Sequence, residues 1–292
     1  MKKTKKLRSF WYSLSSRQRF LIRRLYYLPI DVFDKITGKT HPYVPARGLI
    51  YTGSPASAKN YIQQGLKQLD LLKETINLQP NDAILDIGSG IGRTAIALTG
   101  YLNKNGTYDG FDVVKKGVDW CNNGIGTDFP NFNFKYVPIF NDLYNTSPLK
   151  ATGFQFPYPK NSFSKIISFS LFTHMQADEI QHYFSEIEKV LKTEGLCFST
   201  FFLYDSENES FISEKATMAF PYKKDNYRLM HNNVKSSNIA FHKNEIKLML
   251  KKANLECVKM IDGFWKDTIR DASKKEYQDI VIFKKLSIWT SF

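Results

Sequence analysis

The chain is poor in the residues that hold metals and crosslinks. It has 3 cysteines and 5 histidines in 292 residues. Cys121, Cys197 and Cys257 lie far apart without metal-ligand spacing, and the histidines are unclustered, so neither a metal site nor a disulfide framework is expected. Scattered cysteines suit a reducing cytoplasm, and Cys197 and Cys257, set in apolar strand patterns, read as buried thiols. No run of 18 uncharged apolar residues occurs, which excludes a membrane-spanning helix of ordinary length. A secretory leader is excluded too: the early apolar stretch is broken by Arg17, Arg19, Arg23 and Arg24, and no small-residue cleavage site follows. There is no internal repeat. Acidic residues are absent from the first 30 positions, which hold nine of the cations behind a formal net charge of +13.

Those cations are Lys2, Lys3, Lys5, Lys6, Arg8, Arg17, Arg19, Arg23 and Arg24. On a helical wheel Phe10, Leu14, Leu21, Leu25 and Leu28 form one stripe, with Trp11 and Ile22 beside it and Arg19 and Arg23 well off it. A basic amphipathic helix of this kind fits an anionic membrane surface. It also fits a helix docked on its own domain with a solvated basic face. Nucleic acid is the third reading, since charge alone attracts phosphate, but no RNA-binding module is recognisable and the arm is rich in apolar residues. This extension, residues 1–48, closes in the linker HPYVPARG. The remainder, 49–286, has the length of one α/β domain.

The most informative stretch is LDIGSGIGR, Leu85 to Arg93. An apolar run reaches Asp86, three glycines alternate at 88, 90 and 92, and a helical pattern begins at once. A strand, a sharp glycine turn and a helix N-terminus bring backbone N–H groups close to a ligand. A dinucleotide site wants a third small residue where Arg93 stands, and a phosphate-binding loop wants Gly-Lys-Ser/Thr, which is absent. Further strands are expected at 106–113, 132–137, 163–172 and 196–203, with helices at 56–76 and 178–191 between them. Strands alternating with helices argue a doubly wound, mostly parallel sheet. Asp112, about 20 residues past the turn, is placed for a ribose diol, because one carboxylate accepts from both hydroxyls.

The acidic residue two before the first glycine, followed by alternate glycines, resembles the first motif of the class I S-adenosylmethionine (SAM)-dependent methyltransferases. FDVVKKGVDWC (111–121), FPYPKNSFSKIISFSLFTHM (156–175) and YQDIVIFKK (277–285) look like a bacterial, type 11-like group of that class. The resemblance spans roughly 49–285. It implies a Rossmann-like seven-stranded sheet ending in an antiparallel hairpin, 256–263 with 278–284. It also implies SAM as methyl donor and S-adenosylhomocysteine as product.

On that resemblance Asp86 serves the methionine ammonium, directly or through water. Ile87, Gly88, Ser89 and Gly90 give close approach, and Gly92 opens the helix. Asp112 takes the ribose and Val113 flanks adenine, while Ser168 and Phe169 end the fourth strand beside the sulfur. Two positions depart from the pattern. Pro138 stands where such proteins carry an Asp near adenine, and proline offers no side-chain acceptor and no N–H, so Ile139, Asn141 or Asp142 must replace it. Lys165 stands where an Asp is usual, at the far end of its strand.

Methyl transfer needs alignment more than covalent help, with a base only where the nucleophile holds a proton. His174 is the candidate base. Tyr51 and Gly53 are candidates for a cover over the site. The long segment 205–240 is expected on the substrate side, with Tyr51, Gly53, Tyr204, Asp205 and His231 as substrate candidates, and Tyr204, Asp205, Tyr222, His231 and His242 are weaker candidates for the base. The reaction expected is methylation of an O or N atom of a small metabolite, sugar or lipid-linked acceptor by a cytoplasmic enzyme, peripheral to the inner membrane surface if the arm binds it. The alternatives are a catalytically weak SAM-binding partner protein and an RNA methyltransferase using the basic arm.

Overall fold

A computed structural model of the chain describes residues 11, 14–53, 55–141, 144, 147–214, 216, 218–232, 234, 236–269 and 271–286. Phe10, the cations from Lys2 to Arg8, and Asp142 lie outside the described residues. The sheet core runs in the order β3 (Phe132–Tyr136), β2 (Thr107–Asp112), β1 (Ala83–Ile87), β4 (Phe163–Ser168), β5 (Leu191–Tyr204), all parallel. Two antiparallel strands complete it: β10 (Asp279–Lys285) pairs with β5, and β9 (Leu255–Ile261) pairs with β10. These are the seven strands expected, and three short strands within 222–242 extend the sheet to ten.

Position in the sheet explains the residue pattern of each strand. Central β1, AILDI, is buried from Ile84 onward, as a strand covered on both faces must be. At the edge, β3 alternates buried Phe132 and Phe134 with exposed Asn133 and Lys135. Two cores flank the sheet. One centres on Phe172, Phe184, Phe201 and Phe283, the other on Tyr61, Leu72, Ile84, Leu98 and Tyr108. Cys121 and Cys197 are buried, whereas Cys257 is only half-buried.

The helices are α1 (Ser16–Ile36), α2 (Ala58–Ile76), α3 (Arg93–Thr99), α4 (Lys115–Cys121), α5 (Ala177–Val190), α6 (Glu209–Glu214) and α7 (Lys243–Lys252). α2 starts at Ser57, whose side chain accepts from the Asn60 amide, and ends at Asn77 in the left-handed region. Its Gly65 meets α3 so closely that a Cβ would stand 2.5 Å from the Arg93 carbonyl oxygen.

Three features differ from the sequence reading. β4 stops at Ser168, because Ser170 takes a φ of 58° and Phe172–His174 forms a 3-10 turn. β5 is longer than expected at both ends. The segment 205–240 is not a plain loop: it holds α6, β6 (Tyr222–Lys223), β7 (Tyr227–Leu229) and the start of β8 (Ile239–His242), and β8 pairs with the last residues of β5. Among the described residues no helix is long and apolar enough to cross a membrane.

Candidate active site

A cavity of about 700 Å³ opens where the parallel strands end, the usual ligand position in a doubly wound sheet. Gly88, the first residue of the glycine turn, lies on its wall. Gly88, Gly90 and Gly92 all have positive φ, at 79°, 62° and 83°, which L-residues adopt only under strain. The Gly88 and Ser89 amides both donate to the Phe111 carbonyl, at 2.9 and 3.0 Å, tying the turn to the end of β2.

Asp112 is the buried acid of the cavity wall. It is buried, and its carboxylate accepts from the Gly90 amide at 2.9 Å and the Val114 amide at 2.8 Å. The Tyr51 hydroxyl donates to Oδ1 at a long 3.5 Å. Burial pushes the Asp112 carboxyl up to about 6, against the pull of the two amides. Val113, Ile139, Asn141 and Phe169 also line the cavity.

Six other residues expected at the cofactor stand off the wall. Asp86 is buried beneath β1, with Oδ2 accepting from the Tyr108 hydroxyl at 2.6 Å. Ile87 is wholly buried in the core. Ser89 packs its side chain on β2, where a Cβ at Gly110 would touch it. Gly90 lies under Thr52, and Gly92 faces Cys121. Ser168 points into the sheet and donates to Ser199 Oγ at 2.9 Å. At the adenine end the Ile139 amide donates to the Val137 carbonyl across Pro138, so Asn141 is the side chain left on that wall.

Burial pushes the Asp86 carboxyl up to about 7, and the Tyr108 hydrogen bond opposes this. A carboxyl raised above its ordinary 3.8 contributes stability that is full below that value and lost as pH rises through 7. The unfolding free energy is therefore expected to fall by a few kcal/mol between pH 4 and 8 through this group. Asp86→Asn should flatten that part of the profile. Urea denaturation of both proteins across this range checks it, and parallel profiles would refute it.

The segment Tyr51–Gly53 covers the turn. Thr52 sits over Gly90, its carbonyl accepts from Arg93 Nη2 at 2.7 Å, and Arg93 lies over the Tyr61 ring. Arg93, which disfavoured a dinucleotide site, thus holds the cover in place. Tyr51, Thr52 and Gly53 all line the cavity.

Opposite Asp112, the wall is built by Ser170, Leu171, His174 and Met175 after β4, by Glu179 and Tyr183 of α5, and by residues 272–278 before β10. The His174 ring is aimed by the Ser236 carbonyl, 2.7 Å from Nδ1. A carbonyl only accepts, so Nδ1 carries the proton, and in the neutral ring Nε2 is the basic atom. Gln278 accepts from Ser170 Oγ at 2.9 Å and Thr200 Oγ1 at 2.7 Å, joining β10 to the end of β4. Burial raises the Glu276 carboxyl beside it.

The substrate candidates from 205–240 are placed elsewhere, and no described residue of that segment lines the cavity. Tyr204 is buried edge-on to His242. Asp205 pairs with Lys243 at 2.9 Å. His231 Nδ1 accepts from the Val234 amide at 3.3 Å. β5 carries the chain past the cavity before the segment begins, and among the described residues Ser236 reaches back through its carbonyl to His174.

Residues 84–195 match the family described as a methyltransferase domain. That segment is a methyltransferase domain. Its fold is similar to a SAM-dependent methyltransferase from Clostridium acetobutylicum, with a TM-score of 0.52 and 12% identity over 90% of this chain and 100% of that one. It is also similar to the CcbJ methyltransferase from Streptomyces caelestis, with a TM-score of 0.50 and 13% identity over 77% of this chain and 90% of that one. The cavity wall suits S-adenosylmethionine: Gly88 without a Cβ atom, a buried carboxylate, and the apolar side chains of Val113, Ile139 and Phe169.

Proposed function

We propose that the methyltransferase acts on a hydroxyl or amine of a polar small molecule, sugar or lipid-linked acceptor, with His174 as general base. One observation carries this reading: His174 lines the cavity with Nδ1 fixed by the Ser236 carbonyl. A base is needed where the attacking atom must lose a proton, as in an alcohol or a protonated amine. Glu179, Tyr183, Gln278 and Lys274 on the same wall favour an acceptor rich in hydrogen-bonding groups.

The cofactor, when bound, supplies a methyl group on an electrophilic sulfonium. The chain's own residues do the rest. Asp112 accepts from a ribose diol, Val113 and Ile139 flank the adenine, and Asn141 serves its amino group in place of the Asp that Pro138 replaces. Gly88 lets the backbone approach without a Cβ in the way, and the cover at Tyr51–Gly53 excludes water from Asp112. Asp86 acts from behind the turn through Tyr108 and β1, as a positioning residue. Holding the acceptor in line is the main contribution to rate, because proximity and orientation lower a transfer barrier without covalent participation. The segment 205–240 serves the site by placing Ser236.

His174→Ala is expected to lower kcat about a hundredfold with the affinity for S-adenosylhomocysteine unchanged. The loss should diminish as pH rises and the acceptor ionises on its own. Turnover of a panel of hydroxyl and amine acceptors, with donor affinity by calorimetry, checks it. Full turnover in the variant would remove the base.

A further inference from the structure

α1 is amphipathic in the reverse of the usual sense. Its charged face turns inward. Arg23 Nη1 donates to the Ile50 carbonyl at 2.5 Å, Asp31 accepts from the Arg47 and Gly48 amides, and Asp34 pairs with Arg47 at 2.7 Å. Phe20 packs on Tyr51 of the cavity cover, with ring centroids 5.7 Å apart. The opposite face carries Leu21, Leu25, Leu28, Val32 and Ile36, flanked by Ile22, Tyr26 and Phe33. All are exposed, from 42% for Ile22 to 79% for Ile36. At 100° per residue these positions cover an arc of roughly 160°. A contiguous apolar surface of this kind marks an interaction site.

The charges around that arc say what covers it. Arg17, Arg24 and Lys35 are exposed and project on one flank of the stripe. The two acids of the helix are withdrawn into bonds with Arg47 and Gly48. Five further cations and no acid precede the helix in the sequence. A second copy of the chain would bring the same acid-free face and leave these cations unpaired. An anionic headgroup layer complements both the stripe and its rim.

We infer that the outward face of α1 docks the methyltransferase on a lipid bilayer bearing anionic headgroups, with the helix lying in the interface plane. The inference concerns a partner surface and stands apart from the base assigned to His174. Phe20 against Tyr51 and Arg23 on Ile50 join the docking helix to the cavity cover.

The full chain should float with vesicles of phosphatidylcholine and phosphatidylglycerol, and at least tenfold less with phosphatidylcholine alone. Leu25→Asp with Phe33→Asp, and separately Arg17→Glu with Arg24→Glu, should each lower the floated fraction roughly tenfold. These side chains are exposed, so melting temperature and S-adenosylhomocysteine affinity in solution should be unchanged, which separates lost docking from lost folding. Equal flotation of wild type and either variant would overturn the inference. So would a wild type that does not float but forms a dimer that Leu25→Asp with Phe33→Asp dissociates.

Discussion

Asp112→Ala is expected to weaken binding of S-adenosylhomocysteine at least a hundredfold. The carboxylate is the buried acceptor on the cavity wall. Each hydrogen bond to an ionised group contributes about 1.5–3 kcal/mol, and a diol offers two. The substitution also strips the Gly90 and Val114 amides of their shared acceptor. Buried donors left unmet cost about 1–3 kcal/mol each, and they would disorder the turn that carries Gly88 to the cavity wall. Asp112→Asn keeps one oxygen and should fall between the two. The pH dependence has a definite sign. The wild-type carboxyl titrates near 6, and protonation removes its charge, so affinity should decline as pH falls through 6 while Asp112→Asn shows no such decline. Calorimetry at pH 5 and 8 measures both effects. Binding within threefold of wild type for Asp112→Ala would refute the assignment.

Asp279→Ala is expected to cost about 4 kcal/mol of folding stability. Asp279 opens β10, is 1% exposed, and gathers four donors: the Leu203 and Gly263 amides, Trp265 Nε1 and Lys266 Nζ. Burial raises its carboxyl and the ammonium of Lys266 opposes the rise. Removing it leaves Lys266, whose side chain is 7% exposed, with the half-exposed Asp262 as its charged partner among the described residues. The damage should extend to the site, because adjacent Gln278 bridges Ser170 and Thr200. Urea denaturation provides the test, and a loss under 1 kcal/mol would contradict this reading.

Much of the molecule is legible from local pattern. The glycine turn, the buried run of β1, the alternation of β3 and the caps of α2 each rest on constraints a few residues long: positive φ, burial on one face or two, an orphan amide at a helix start. Asp112 is legible for the same reason, since a strand end at a set distance from the turn places it on the wall.

The other cavity wall was not legible, and topology explains why. β10 runs antiparallel to β5, with Asp279 opposite Phe201. Its entry, residues 272–278, therefore arrives at the carboxyl end of the parallel strands, where ligands bind. No motif in those residues announces this. Conversely, the polar segment 205–240 looked like a substrate loop, but β5 extends through Phe202–Tyr204 and carries it past the cavity. Asp86 could be located but not oriented: whether a strand-end acid faces ligand or core depends on a partner from the next strand, here Tyr108.

The arm shows the division most plainly. Its basic composition, acid-free over the first 30 residues, and its apolar stripe were fixed by residue order, because a helix converts spacing into faces. Which face would turn inward was decided only by tertiary contacts. Arg47, Gly48 and Ile50 offered partners for charge and none for leucine, so α1 buried its polar side and left its apolar side outward. Sequence order sets what each face carries, and the direction a face looks depends on the partners that distant residues bring to it.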